Sequence, residues 1–395
     1  MTIPDRPLEQ EPSSEGPSDR VRVLVVDDSA LMRRLLTDLL VSSSEIEVVG
    51  TARDGREAVL QAVRLRPDVI TLDVEMPEVS GLEALPALLA AHEAPVVMVS
   101  ALTQEGADVT LQALELGAVD FMPKPERNQL AEIRASRDIL VGKVLSAAAS
   151  RVRRPHRGSR PRPPDSVPPR PAEARPRKQR APDPPSARQP PPTAVGFTCA
   201  GIGISTGGPQ ALSQVIPLLV PPLPPILIVQ HMPPIFTGAF AERLDRYSSL
   251  TVKEAEDGEI ILADHIYVAP GGRHMTLTGL PPRVRVVLSD LPPVSGHRPS
   301  IDMLFQALAR TYRSTALGII MTGMGRDGVD GCKAILAKGG LTLGQDEATS
   351  VVYGMNKAAY LENAVKGQFA LEDLPYVLQG FPPSRGETET ASLDG

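Results

Sequence analysis

The chain reads as two doubly wound α/β domains, each built on a parallel sheet, joined by a linker rich in proline and arginine. Three observations predict this. Apolar, β-prone runs alternate with segments of helical period from Val21 to about Gly142, and again from Val195 to about Phe381. Between these stretches the composition changes sharply. Polar residues able to do chemistry stand directly behind the apolar runs, where parallel strands open onto a crevice at their carboxyl ends.

Taken in order, residues 1–20 are acidic and polar, hold no apolar core and are expected to be disordered; they do not form a signal peptide. Residues 21–140 form the first domain. Val21-Arg-Val-Leu-Val-Val, Asp68-Val-Ile-Thr-Leu and Ala94-Pro-Val-Val-Met-Val read as buried strands. Leu31-Met-Arg-Arg-Leu-Leu-Thr-Asp-Leu-Leu repeats apolar residues at helical spacing, with Ser29 placed to cap it. Residues 141–194 form the linker. From Arg151 to Thr193 a dozen basic residues face three acids, with a proline at about every third position. Such a segment buries no core and is expected to be extended, partly polyproline-like. Its alternative, a basic patch on a membrane or acidic partner, lacks interleaved aromatics. Residues 195–381 form the second domain, and 382–395 read as a frayed, disordered tail.

The 395 residues carry a formal net charge of −6, no Trp and 3 % aromatics, so Leu, Val, Ile and Ala fill the cores. That charge does not suggest a nucleic-acid binder, and no helix-turn-helix pattern follows the linker. Cys199 and Cys332 read as buried free thiols in a reducing compartment. The longest apolar stretch, Val215 to Gln230, is cut by five prolines and cannot span a membrane. The expectation is a cytoplasmic monomer without membrane insertion.

The first domain carries a cluster of acids. Asp27 and Asp28 close the first strand and Asp73 closes another. Carboxylates gathered at neighbouring strand ends repel one another unless a cation sits among them, and Mg²⁺ suits the need. Asp73 is then placed to accept a phosphoryl group, with Ser100 and Lys124 at the ends of the next two strands contacting its oxygens. Val25-Val-Asp-Asp-Ser, Thr71-Leu-Asp-Val-Glu-Met-Pro and Asp120-Phe-Met-Pro-Lys-Pro together resemble a response-regulator receiver domain. The resemblance implies Mg²⁺ held by Asp28, Asp73 and the backbone carbonyl of Glu75, with Asp27 in support. It also implies Phe121 as the switch aromatic and a cis Lys124–Pro125 bond.

In the second domain Ser205 follows Phe-Thr-Cys-Ala-Gly-Ile-Gly-Ile, His231 follows Ile-Leu-Ile-Val-Gln, and Asp327 follows Gly-Ile-Ile-Met-Thr-Gly-Met-Gly-Arg. A hydroxyl, an imidazole and a carboxylate converging on one crevice are the parts of a nucleophilic hydrolase. The glycines around Ser205 permit a tight turn into a helix N-terminus, where N–H groups favour anions. A phosphate-cradling glycine loop is the alternative, yet the stretch fits neither dinucleotide nor P-loop pattern. Gly203-Ile-Ser-Thr-Gly207 formally fits the Gly-x-Ser-x-Gly elbow, but the order Ser, His, acid is not that of the α/β-hydrolases. Asp302 competes with Asp327 for the acid role, or else caps a helix or lines the cleft.

Six stretches carry a second resemblance. They are Ser205-Thr-Gly-Gly, Gln230-His-Met-Pro, Val268-Ala-Pro-Gly-Gly-Arg-His-Met, Gly296-His-Arg-Pro-Ser-Ile-Asp, Thr322-Gly-Met-Gly-Arg-Asp-Gly and Gln345-Asp-Glu-Ala-Thr-Ser-Val-Val-Tyr-Gly-Met. With the receiver, they make the chain similar to the chemotaxis-specific protein-glutamate methylesterases. The resemblance implies Ser205 as nucleophile, His231 as general base then acid, Asp327 as the group orienting the imidazole, and the Met324 N–H in the oxyanion site. It also implies chemoreceptors as substrate, glutamine deamidation as a second activity, a histidine kinase as phosphodonor, and no cofactor for the ester chemistry. Ile204 stands where the family has a small Ala, and Asn356 where it has Pro. A regulator whose second domain only binds a partner is the alternative of a different class.

Overall fold

The computed structural model describes residues 20–101, 103–125, 130–150 and 196–379. The expected disordered ends and nearly all of the linker fall outside the described residues. Both folded regions are α/β. In the first, β1 (Val21–Val26), α1 (Ala30–Val41), β2 (Ile46–Ala52), α2 (Gly55–Leu65), β3 (Val69–Asp73), α3 (Gly81–Ala91), β4 (Val96–Ser100), α4 (Gln104–Glu115), β5 (Asp120–Pro123) and α5 (Leu130–Ala148) alternate. The sheet is parallel throughout, in the order β2-β1-β3-β4-β5. Strands β3 and β4 are buried along their whole length, which is why they read as continuous apolar runs. Ser29 caps α1 through Met32 N, as its sequence position predicts, and Ser80 and Glu83 form a capping box on α3.

The second region holds β6 (Cys199–Ile204), α6 (Gly208–Val215), β7 (Ile226–Gln230), α7 (Pro234–Asp245), β8 (Thr251–Glu254), β9 (His265–Val268), β10 (His274–Thr278), β11 (Arg285–Ser289), α8 (Ile301–Thr311), β12 (Ala316–Ile320), α9 (Val329–Ala337), β13 (Leu341–Gln345), α10 (Met355–Leu361), β14 (Gly367–Phe369) and α11 (Leu374–Gln379). Its main sheet is parallel and ordered β14-β13-β12-β6-β7-β9-β8, while β10 and β11 form a separate antiparallel hairpin. The chain leaves β6 toward β7 and later returns on the opposite side at β12. The switch point therefore lies at the carboxyl ends of β12, β6 and β7. Cys199 and Cys332 are buried free thiols, and among the described residues no helix is long and apolar enough to cross a membrane.

Helix α5 runs to Ala148, because Leu140, Val144 and Ala147 keep the helical period and are buried against the first domain. The structure corrects one expectation. The Lys124–Pro125 bond is trans, the form an X–Pro bond ordinarily prefers.

The two domains pack together. Phe121 of β5 meets Phe236 of α7 at 4.3 Å between ring centroids. Arg243 of α7 forms a two-pronged ion pair with Glu115 of α4. Leu111 and Leu114 of α4 face Pro209 and Phe240. Asp120 is buried at this junction, where it accepts from Thr206 Oγ1 at 2.5 Å and pairs with Lys143 Nζ at 2.6 Å.

Candidate active site

Ser205 is the first residue after β6 and is held on both sides of its peptide. Its N–H donates to Thr322 O at 2.9 Å, while its carbonyl accepts from Gly208 N at 2.8 Å and Gln230 Nε2 at 3.1 Å. The turn needs glycine at Gly207, which sits at φ +79°, and the facing loop needs it at Gly323, where a Cβ would lie 2.6 Å from Ser205 Cβ. His231 is the first residue after β7, and its N–H donates to Ile204 O. Asp327 lies on the glycine-rich loop after β12. Three adjacent strands thus deliver the three predicted residues to one crevice.

Asp327 is the best-anchored group in it. His231 Nε2 lies 2.9 Å from Asp327 Oδ2, which also accepts from Ile301 N at 2.8 Å. Oδ1 accepts from Ser300 Oγ at 2.8 Å and Asp302 N at 3.1 Å. The carboxylate therefore caps α8 from outside the helix, facing the positive end of its dipole. Burial works to raise its pKa, but the contact with His231 and the helix N–H groups outweigh it, so the carboxyl stays ionised below its ordinary range. With an acid that only accepts at Nε2, the neutral imidazole carries its proton there. Nδ1 is left as the lone-pair nitrogen. Nδ1 has no partner, and Ser205 Oγ forms no hydrogen bond to it. Such contacts commonly close only with substrate in place.

Asp302 is engaged elsewhere. It caps α9 by accepting from Gly331 N at 2.7 Å, and burial pushes its carboxyl up to about 6. The Met324 N–H enters no hydrogen bond among the described residues, and it is the preceding Gly323 that packs against Ser205. Ile204 is fully buried at the end of β6. Asn356, buried in the first turn of α10, donates to Gln345 O at 2.8 Å and Ser350 Oγ at 2.7 Å.

Three residues escaped the sequence reading. Ser300 supports Asp327, and its own N–H donates to Nδ1 of the buried His274 at 3.2 Å. His297 stacks on His231, with ring centroids 3.8 Å apart and planes 9° from parallel. The only sequence signal was membership of the Gly296-His-Arg-Pro-Ser stretch. His231, His297 and Asp327 bring ligand atoms close together. Parallel stacked rings, however, aim their in-plane lone pairs side by side, so this arrangement does not converge on a metal.

In the first domain the acids gather as predicted. Asp27 and Asp73 are buried, Asp28 is exposed, and their oxygens come within 4.8 Å of one another. Lys124 Nζ reaches Asp73 Oδ2 at 2.7 Å and Asp27 Oδ2 at 3.2 Å. The latter oxygen is buried without a hydrogen bond. Burial pushes the Asp73 carboxyl up to about 7, aided by Asp27 and opposed by Lys124. Three carboxylates gathered this closely, with Lys124 paired to two of them, leave a surplus of negative charge that fits a hard, oxygen-seeking divalent cation. Ser100 is buried at the end of β4, and Phe121 points into the domain junction.

An α/β domain with an acidic cluster at its strand ends, packed on a second that gathers a hydroxyl, an imidazole and a carboxylate at its own, fits a receiver joined to a hydrolase. Residues 23–135 match the response regulator receiver domain, and residues 200–378 match the CheB methylesterase family. A protein-glutamate methylesterase/protein-glutamine glutaminase of Pyrococcus horikoshii is 42% identical, over 90% of this chain and 92% of that one. One of Rhodopseudomonas palustris, from its group 3 operon, is 44% identical over 95% of this chain and 99% of its own. The solved CheB methylesterase catalytic domain of Thermotoga maritima is 39% identical, covering 47% of this chain and 98% of that one, with a TM-score of 0.45. The chain belongs to the protein-glutamate methylesterase/protein-glutamine glutaminase family.

Proposed function

We propose that the protein hydrolyses methyl esters of glutamate side chains on chemoreceptors, and deamidates glutamines there, when Asp73 is phosphorylated by a histidine kinase. The observation that carries this reading is the His231 Nε2–Asp327 Oδ2 contact of 2.9 Å at the strand ends beside Ser205. Ser205 Oγ attacks the ester carbonyl carbon while His231 Nδ1 takes its proton. Asp327 holds the ring and stabilises the imidazolium. The Met324 N–H and the start of α6 face the oxyanion. Collapse expels methanol, which leaves with the proton from His231. Water then attacks the acyl-enzyme, gives its proton to His231, and frees Ser205 and the glutamate. With glutamine the leaving group is ammonia.

In the receiver, Asp28, Asp73 and the Glu75 carbonyl would hold Mg²⁺, with Asp27 in support. The ion supplies charge neutralisation for an incoming phosphoryl group. An Asp73 oxygen attacks phosphorus as the P–N bond to the kinase's phosphohistidine breaks and the donor imidazole leaves, and Lys124 and Ser100 take up the phosphoryl oxygens. Thr206, directly after the nucleophile, is bonded to receiver Asp120. Docking of the receiver therefore restrains the crevice, and phosphorylation relieves it by moving the β5 face around Phe121. Methanol release from methylated receptor by wild-type and Ser205→Ala chains tests the reading. Wild-type-like release from a folded Ser205→Ala chain would overturn it.

A further inference from the structure

The His231 ring is anchored at one edge only. Asp327 holds Nε2, while Nδ1 has no partner. The torsion that turns an imidazole is soft, so a single edge contact leaves the ring free to pivot. His297 lies flat on its face at 3.8 Å. We propose that His297 is a positioning residue for the base, a fixed plate that blocks this pivot and keeps Nδ1 aimed at Ser205. The inference rests on the reading of His231 as base.

His297 is built to be rigid. It closes a two-residue turn in which Val294 and His297 exchange backbone hydrogen bonds of 3.1 and 2.9 Å. The central residues, Ser295 at φ 52° and Gly296 at φ 80°, both take the positive values that a type I′ turn demands. His297 Nδ1 lies 2.9 Å from Ser295 O, which fixes the tautomer, and the stacked His231 ring on one face limits rotation of the plate in turn. The groups facing it are His231 and Asp327 in the crevice and Lys143 on α5 of the receiver, which is itself paired with Asp120. Burial first, and then the neighbouring His231, hold the His297 imidazole down to about 4. The plate therefore stays neutral at ordinary pH and adds no second positive charge beside the imidazolium that forms during turnover.

Steady-state rates of the full chain, saturated with acetyl phosphate, on methylated receptor membranes test this. Folding of each variant is checked by its melting temperature. His297→Ala should lower kcat about tenfold or more with KM within about twofold, since a misaimed base costs rate and not binding. His297→Phe, equally flat, should recover kcat to within about threefold of wild type. If His297→Ala does not fold, His297→Leu takes its place as the variant that is apolar but not flat. An unchanged kcat, a change confined to KM, or an equal loss in the flat and non-flat variants would each overturn the proposal. His231→Gln is run alongside. Retained activity there would sink the assignment of the base itself, whereas its loss together with an unaffected His297→Ala sinks the plate alone.

Discussion

Thr206 Oγ1 donates a 2.5 Å hydrogen bond to Asp120 Oδ2, joining the residue after Ser205 to the residue before Phe121. The proposed nucleophile and the proposed switch aromatic are thus one residue removed, on either side, from a single buried contact between domains. Lys143 closes the same contact from α5.

The Glu115–Arg243 ion pair lies on the same junction, away from the catalytic groups. Glu115→Arg should loosen docking and raise the unphosphorylated rate by about threefold to tenfold, the range expected of one partly exposed pair. Glu115→Arg combined with Arg243→Glu should restore the low rate. A double variant as active as the single one would show that the pair does not hold the domains.

In the proposed reaction Asp327, His231 and Ser205 act on one proton, so their losses should not multiply. Asp327→Asn alone should lower kcat by roughly 10³–10⁴, since the amide favours the wrong tautomer. Adding His231→Gln should lower it little further. Multiplied losses in methanol release would mean that the two residues serve separate steps.

Asp73 sets a pH dependence. Its carboxyl is raised to about 7, so the folded chain holds a proton there that the unfolded chain has released. Without Mg²⁺, stability therefore falls as pH rises from the ordinary carboxyl range toward 7. Binding of Mg²⁺ displaces the proton, so apparent affinity should strengthen about tenfold per pH unit up to about 7 and then level off. Melting temperatures with and without Mg²⁺ across pH 5.5–8 check this. A stabilisation by Mg²⁺ that is flat with pH, or that persists in Asp73→Asn and Asp28→Asn, would contradict the site.

Asn356 bonds α10 to the end of β13 and to Ser350, although its own Oδ1 is buried without a partner. Asn356→Ala should cost about 1–2 kcal/mol in urea unfolding, the worth of two buried hydrogen bonds less the relief of one orphaned acceptor. An unchanged midpoint would show that the two bonds contribute nothing net.

The positions of Ser205, His231, Asp327 and the receiver acids were legible because parallel strands are buried on both faces. Each apolar run must then end where its first polar residue meets the crevice. Asp302 stayed ambiguous because a helix-capping acid and a catalytic acid look alike in a string of residues. Only the bond to Gly331 N separates them. Helix α5 continues beyond residue 140 because Val144 and Ala147 are still buried, a continuation with no compositional mark, since the change to proline and arginine begins only at Arg151. The domain junction left little trace, since Thr206, Asp120 and Arg243 gain meaning only through partners distant in sequence. The same holds for His297, a lone histidine on a loop until the sheet order brings it over His231.

In the proposed function, phosphorylation of Asp73 switches on ester hydrolysis at Ser205. Methanol released from methylated receptor membranes by the full chain, with and without acetyl phosphate, tests it most directly. A low basal rate should rise severalfold to about a hundredfold with the phosphodonor, with no rise in Asp73→Asn and no release above background in Ser205→Ala. A wild-type rate indifferent to the phosphodonor, or a phosphodonor response that survives Asp73→Asn, would contradict it.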